Sequence, residues 1–154
     1  MNWLPWLPLA AVSLHICEEF VFPGGFPDWY RKYRPNASRI TTRFLVVING
    51  SLVACCVVAG AVRNSSGIFY WLLVSAIVAA NGFWHLWAAY RSRAYSPGVI
   101  TGLLIYVPLF LVGYDKFVRS GAVPIRLAAS AYLIGGTYQF WSAAYHRMRQ
   151  KPQA

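Results

Sequence analysis

Five long apolar runs, separated by short polar or basic segments, dominate the pattern of this chain. They cover residues 3–22, 44–62, 68–90, 97–118 and 124–146. Each run has about the 20 residues that an α-helix needs to cross the hydrocarbon core of a bilayer. The pattern therefore predicts an all-α fold, a polytopic membrane helical bundle with five transmembrane helices, in one domain over residues 1–154.

Turn-forming residues mark two of the predicted helix ends. The Pro-Gly-Gly segment at 23–25 predicts the end of the first helix. The Ser-Pro-Gly segment at 96–98 predicts the start of the fourth, with Ser96 as its N-cap and Pro97 at the first helical position. Tryptophan and tyrosine also cluster at the ends of the runs, which is typical of helices that end at a membrane interface.

The basic residues predict the orientation of the helices. Of the 14 Lys and Arg residues, ten flank one set of helix ends and four flank the other. The positive-inside rule then puts the N-terminus outside and the C-terminus in the cytoplasm, and we expect the plasma (inner) membrane of a bacterium. The longest connection, 23–43, is basic and aromatic and predicts an interfacial loop. A lid over a site beneath it, or a contact with anionic lipids, is the alternative.

Composition excludes several functional classes. The chain is 58% hydrophobic and 12% charged, and a soluble domain typically has about twice that charged fraction. Its net charge of +10 does not indicate nucleic-acid binding, because the basic residues lie between the apolar runs and form no patch of their own. The sequence has no glycine-rich nucleotide-binding motif, so we expect no nucleotide cofactor.

The first apolar run carries the most informative residues, His15, Glu18 and Glu19. The two glutamates are half of the four acidic residues in the chain. Positions i, i+3 and i+4 share one face of a helix, so the three side chains are expected to point the same way. Because ionisable groups at membrane depth cost several kcal/mol, their presence predicts a functional site.

The other runs offer polar residues at a similar depth on the cytoplasmic side. Asn81 and His85 lie on one face of the third run, and the remaining candidates are Asn49, Thr101, Tyr138 and Gln139. We predict that His15, Glu18, Glu19 and His85 form a catalytic centre. Asn81 and the remaining candidates would support it or bind substrate, with Trp84 lining the pocket. Hydrogen bonding between helices explains Asn49, Thr101 and Gln139 equally well.

Two chemistries fit this centre. His15, Glu18, Glu19 and His85 suit one divalent metal ion, Zn²⁺ or Fe²⁺. A ferritin-type di-iron site is not expected, because it needs about four carboxylates. Without a metal, two adjacent carboxylates at low dielectric would share a proton and act as a general acid and base. A proton or metal-ion transporter is the alternative, but the polar groups lie mostly in one half of the membrane.

These residues also resemble a known family. The first run contains His-Ile-Cys-Glu-Glu at 15–19, which resembles the signature of the HXXEE-domain family of small polytopic membrane proteins. Asn-Gly-Phe-Trp-His at 81–85 and Tyr-Ser-Pro-Gly at 95–98 are similar to the second and third motifs of that family. The resemblance extends from the first run to the fourth. It implies a polytopic membrane protein and does not identify a reaction.

Taken together, the sequence predicts an integral membrane enzyme with a His/Glu site near the cytoplasmic leaflet. Its expected substrate is a lipophilic small molecule reached from the lipid bilayer. The expected reaction is an isomerisation, cyclisation or hydrolysis, by metal-dependent or acid–base chemistry.

Overall fold

A computed structural model describes residues 3–33 and 41–149 of the chain. These described residues form helices joined by short connections, and no strand occurs among them. The prediction of an all-α fold is therefore confirmed. The described helices are α1 (Leu7–Phe20), α2 (Phe26–Tyr33), α3 (Thr42–Ala61), α4 (Ser65–Ser92), α5 (Val99–Arg119), α6 (Ile125–Gly136) and α7 (Tyr138–Arg149). A 3₁₀ turn, Leu4–Trp6, leads into α1.

Three of these helices are long and apolar enough to cross a membrane: α3, α4 and α5. The first predicted span forms a helix of 14 residues, α1, which is shorter than the bilayer requires by itself. The fifth predicted span is divided at Thr137 into two helices of 12 residues each, α6 and α7. Within the described residues, three of the five predicted spans thus meet the criteria of length and composition.

Helix α4 lies at the centre of the bundle and packs against α3, α5 and α6. Its side chains Trp71, Leu72 and Val78 are almost fully buried in the core. A close crossing joins Gly82 of α4 to Gly102 of α5, where a Cβ atom on Gly82 would lie 2.5 Å from the Gly102 carbonyl oxygen. Small residues allow such close approaches between helix backbones.

Helix α5 changes its winding shortly after it begins. Residues Gly102–Tyr106 form a π-helical turn, with a hydrogen bond from the Val107 amide to the Gly102 carbonyl oxygen. A π-helical turn adds a residue to the helical turn and rotates the side chains that follow it. The side chains of Thr101 and Tyr106 are consequently brought toward the same side of α5, where both contact His15.

Two details of the connections differ from the prediction. Residues 26–33 of the predicted loop 23–43 form helix α2, while residues 34–40 lie outside the described part. The prediction that Ser96 caps the fourth helix is wrong: the helix begins at Val99, and its N-cap position is Gly98, with a φ of +98° and no side-chain cap. A side chain from another helix takes over that capping role.

The Gly82–Gly102 crossing predicts a specific destabilisation. We expect Gly82→Ala to lower the free energy of unfolding by about 1–3 kcal/mol, because its Cβ atom must displace backbone. Gly50→Ala is the matched control, since a Cβ atom there meets nothing within 4 Å. It should raise the stability by about 0.5–1 kcal/mol. Denaturant unfolding in detergent micelles measures both, and equal stabilities would contradict the close crossing.

Candidate metal centre

Glu18 is held by the first turn of α5. Its Oε1 atom accepts hydrogen bonds from the Tyr95 hydroxyl and from the Gly98 and Ile100 amides. Its Oε2 atom accepts from both the amide and the hydroxyl of Thr101. A carboxylate at a helix N-terminus satisfies free N–H groups and is stabilised by the helix dipole. Glu18 therefore caps α5 from α1, although the two segments lie some 80 residues apart in sequence.

Burial and the hydrogen bond to Glu18 both raise the pKa of Tyr95 above its usual range. The phenol thus stays protonated and serves as a donor to the carboxylate. All five donors around Glu18 point at its two oxygen atoms, so this carboxylate has little capacity for a further ligand.

The same interactions determine which nitrogen of His15 carries a proton. The Thr101 hydroxyl gives its single proton to Glu18, so it can only accept a hydrogen bond from His15 Nδ1, which lies 2.8 Å away. His15 Nδ1 is consequently protonated, and in the neutral ring Nε2 carries a lone pair. That Nε2 atom lies 3.5 Å from Glu19 Oε1.

His85 is oriented in the same manner from the other side. Its Nδ1 atom lies 3.2 Å from the hydroxyl of Ser96, which is fully buried. Its Nε2 atom lies 3.2 Å from Glu19 Oε1. Gly98 packs against both imidazoles, since a Cβ atom there would lie 2.7 Å from His15 Cε1 and 2.8 Å from His85 Cε1. Only a glycine leaves room for the two rings to face one carboxylate.

His15, Glu19 and His85 thus form one compact group. Each offers one ligand atom, and these atoms all lie within 4.8 Å of one another. All three residues are buried, with exposed fractions of 2%, 5% and 1%. Two ligands at about 2.1 Å from a tetrahedral metal ion lie about 3.4 Å apart. The observed His–Glu separations of 3.5 and 3.2 Å match this geometry, so the group could hold a metal ion.

Asn81 and Gln139 extend the network to α7. Gln139 Nε2 donates to Asn81 Oδ1 at 3.1 Å, which turns the Asn81 amide nitrogen toward His15. Asn81 Nδ2 lies 3.2 Å from His15 Nε2. The two amides thereby form a chain that ends beside the candidate ligand atom.

Aromatic side chains of α2 and α4 cover the His85 side of the group. The rings of Phe26 and Trp84 lie 5.6 and 4.9 Å from the His85 ring. Tyr30 stacks on Trp84 at 6.0 Å, and Trp29 lies edge-on to it at 6.3 Å. The first part of the predicted loop 23–43 is therefore an aromatic cover over the centre, which gives it an apolar environment.

The structure places the predicted site residues in two groups. The network contains His15, Glu18, Glu19, Asn81, His85, Thr101 and Gln139, with Trp84 packed beside it. Glu18 belongs to the network but not to the three possible metal ligands. Asn49 instead donates to the Leu45 carbonyl oxygen in its own helix, and no hydrogen bond joins Tyr138 to the described residues of the network.

Sequence reasoning missed the positions of Tyr95, Ser96 and Tyr106. Tyr95 precedes the Ser-Pro-Gly segment and Ser96 is its first residue, and two polar side chains next to a helix start were a signal that a buried carboxylate or imidazole faces them. The Tyr106 ring packs on His15 at 4.5 Å, and its hydroxyl is buried. No α-helical spacing would have placed Tyr106 beside Thr101, because the π-helical turn decides its direction.

Comparisons with known proteins agree with the motif. The family model described as a protein of unknown function with HXXEE motif matches residues 6–112. A curated relative, the uncharacterized protein YrkK of Bacillus subtilis (strain 168), is 26% identical over 132 residues, which cover 81% of this chain and 82% of the relative. No solved structure matches the chain.

The capping role of Glu18 predicts a large loss of stability on its neutralisation. We expect Glu18→Gln to lower the free energy of unfolding by about 2–4 kcal/mol, because the new amide NH₂ would face N–H and O–H donors. The matched control is Asp28→Asn, whose carboxylate is exposed and, within residues 3–33 and 41–149, pairs with nearby Arg31. That change should cost about 0–1 kcal/mol. If denaturant unfolding gave the same loss for both variants, the capping role would be wrong.

Proposed function

The chain belongs to the HXXEE family, and we propose that it is an integral membrane enzyme with one divalent metal ion held by His15, Glu19 and His85. The proposed substrate is a lipophilic small molecule. Two imidazoles and one carboxylate suit Zn²⁺ and Fe²⁺ and leave coordination positions open for substrate.

One observation carries this proposal: two histidines direct their Nε2 atoms at the same oxygen of Glu19. A neutral His15 has its lone pair, and no proton, on Nε2, so its Nε2 cannot donate to Glu19. The Asn81 amide donates a hydrogen bond to this lone pair, but no proton lies between His15 Nε2 and the Glu19 oxygen 3.5 Å away, so these two atoms repel each other. A divalent metal resolves this repulsion and satisfies all three ligand atoms at once.

The residues around His15 and His85 hold these two possible metal ligands in position. Hydroxyl groups of Thr101 and Ser96 hold the Nδ1 atoms of the two histidines, an arrangement typical of metal-binding imidazoles. The Asn81 amide donates to His15 Nε2 at 3.2 Å; a metal bound at Nε2 would take that lone pair and leave the amide to donate a hydrogen bond to a bound substrate. The metal would supply Lewis acidity, while the aromatic cover keeps water away.

The membrane assignment rests on the apolar helices α3, α4 and α5. We propose that α1 and the α6–α7 pair complete a five-span bundle with the N-terminus outside and the C-terminus in the cytoplasm. The centre would then lie near the cytoplasmic leaflet, where a lipophilic substrate can enter from the bilayer. The plasma membrane of a bacterium is the proposed location, in keeping with the bacterial relative.

Metal-free acid–base catalysis is the second candidate, and the Ser96–His85 pair favours it. A serine hydroxyl can either donate or accept, so His85 can carry its proton on either nitrogen. His85 and Glu19 could then pass a proton to and from a substrate. Chelation distinguishes the two candidates, since removal of the metal abolishes activity only if catalysis is metal-dependent.

We expect the purified protein to bind one Zn²⁺ or Fe²⁺ per chain, measured by elemental analysis after dialysis. His15→Ala, Glu19→Gln and His85→Ala should each reduce the bound metal to background, since each removes one of three ligands. Asp115→Asn is the matched carboxylate control, because Asp115 pairs with Arg119 on the surface and should leave the metal content unchanged.

The reaction itself is tested with the same variants. Membrane lipid extract incubated with the protein should show a product by mass spectrometry that Glu19→Gln does not form. Activity that survives complete removal of metal would favour acid–base catalysis instead. If Glu19→Gln abolished a proton or metal-ion flux in proteoliposomes and no product were formed, the protein would be a transporter and not an enzyme.

Ser96→Ala should weaken metal binding without removing a ligand. Loss of the hydroxyl leaves the His85 ring without its orienting partner, and such changes lower metal affinity about 10–100-fold. The control is Ser130→Ala, because Ser130 is exposed and donates to the Arg126 carbonyl oxygen of its own helix. Competition with a chromophoric chelator gives both affinities, and equal values would contradict an orienting role for Ser96.

A further inference from the structure

Tyr106 lies beside the centre, and its hydroxyl is one of two buried side-chain polar atoms without a hydrogen-bond partner in the described part of the chain; the other is Trp29 Nε1 in the aromatic cover. The Tyr106 side chain is 1% exposed, and its hydroxyl has no hydrogen-bond partner among the described residues. A buried hydroxyl without a partner costs about 1–3 kcal/mol, so native proteins rarely keep one. Tyr95 differs in this respect, because its hydroxyl donates a hydrogen bond to Glu18 within the protein.

The π-helical turn directs Tyr106 at the centre. In an α-helix, residues five apart point about 140° away from each other, because each residue adds about 100°. In a π-helix, whose hydrogen bonds join residues i and i+5, residues five apart lie close to the same face of the helix. Thr101 and Tyr106 accordingly both contact His15, the first at Nδ1 and the second over the ring. π-helical turns are frequent at functional sites.

Neither glutamate of the centre accepts a hydrogen bond from the Tyr106 hydroxyl. Glu18 is already saturated by five donors, and Glu19 faces the two histidines. The phenol therefore has no acceptor among the described residues, although it lies beside the His15 ring.

We infer that the Tyr106 hydroxyl binds the polar head of the substrate, by donating a hydrogen bond to an acceptor atom bound next to the metal ion. This inference rests on the proposed function. The chemical class it indicates is an otherwise apolar molecule that carries an oxygen acceptor, such as a ketone, an alcohol or a carboxylic acid. The apolar part would lie among the aromatic side chains of α2 and α4.

Azide bound to a Co²⁺-loaded protein provides a probe, because Co²⁺ replaces Zn²⁺ and its visible spectrum reports added ligands. In Tyr106→Phe we expect the dissociation constant of azide to rise about tenfold, the equivalent of one hydrogen bond. The affinity for Co²⁺ itself should stay the same, since no ligand is removed. The melting temperature should be equal or higher, because the variant no longer buries an unpartnered hydroxyl.

Tyr114→Phe is the matched control. Its hydroxyl donates to backbone carbonyl oxygens of Leu72 and Ala128, away from the centre, so azide affinity should be unchanged. If Tyr106→Phe bound azide as tightly as the parent protein, the inference would be overturned, whatever the melting temperature. A parent protein that binds no Co²⁺ would instead overturn the proposed metal centre and this inference with it. If Tyr106→Phe bound Co²⁺ normally and azide with unaltered affinity, the role of the Tyr106 hydroxyl would be wrong and the proposed metal centre would stand.

Discussion

The hydrogen bonds between Glu18 and the first turn of α5 are the interaction on which the rest of the site depends. The N-cap position of helix α5 is a glycine, which has no side chain to cap it, so the free N–H groups of the first turn need an acceptor from elsewhere. The α1 carboxylate supplies it and fixes α1 against α5. The same contact uses the Thr101 proton, and this sets the tautomer of His15. The adjacent Glu19 is then free to face both histidines.

Two adjacent glutamates therefore have different tasks, which their chemistry alone does not reveal. Glu18 accepts five hydrogen bonds and holds two helices together. Glu19 meets two imidazoles and contributes to the group that could hold a metal. The division follows from the 100° between successive residues of a helix, because one side chain points at α5 and the next at α4.

Much of the site was predictable from the rarity of ionisable residues in apolar runs. His15, Glu19 and His85 stood out by type, and their common depth predicted that they meet. The distinction between Glu18 and Glu19 was not predictable, because it depends on which carboxylate meets the start of a distant helix. Tyr106 escaped prediction because a π-helical turn alters the spacing. The break at Thr137 escaped it because hydropathy alone does not locate a change of helix direction.

The long sequence separation between Glu18 and its donors has a consequence for how the chain is made. Its hydrogen-bond partners lie 77 to 83 residues later in the chain. During synthesis α1 therefore emerges with two carboxylates and an imidazole whose partners do not yet exist. Desolvating these groups alone would be costly, so α1 can settle into its buried position only after the start of α5 has been made. Helix α1 thus reaches its final place only after α3 and α4, which follow it in the chain, have also been made.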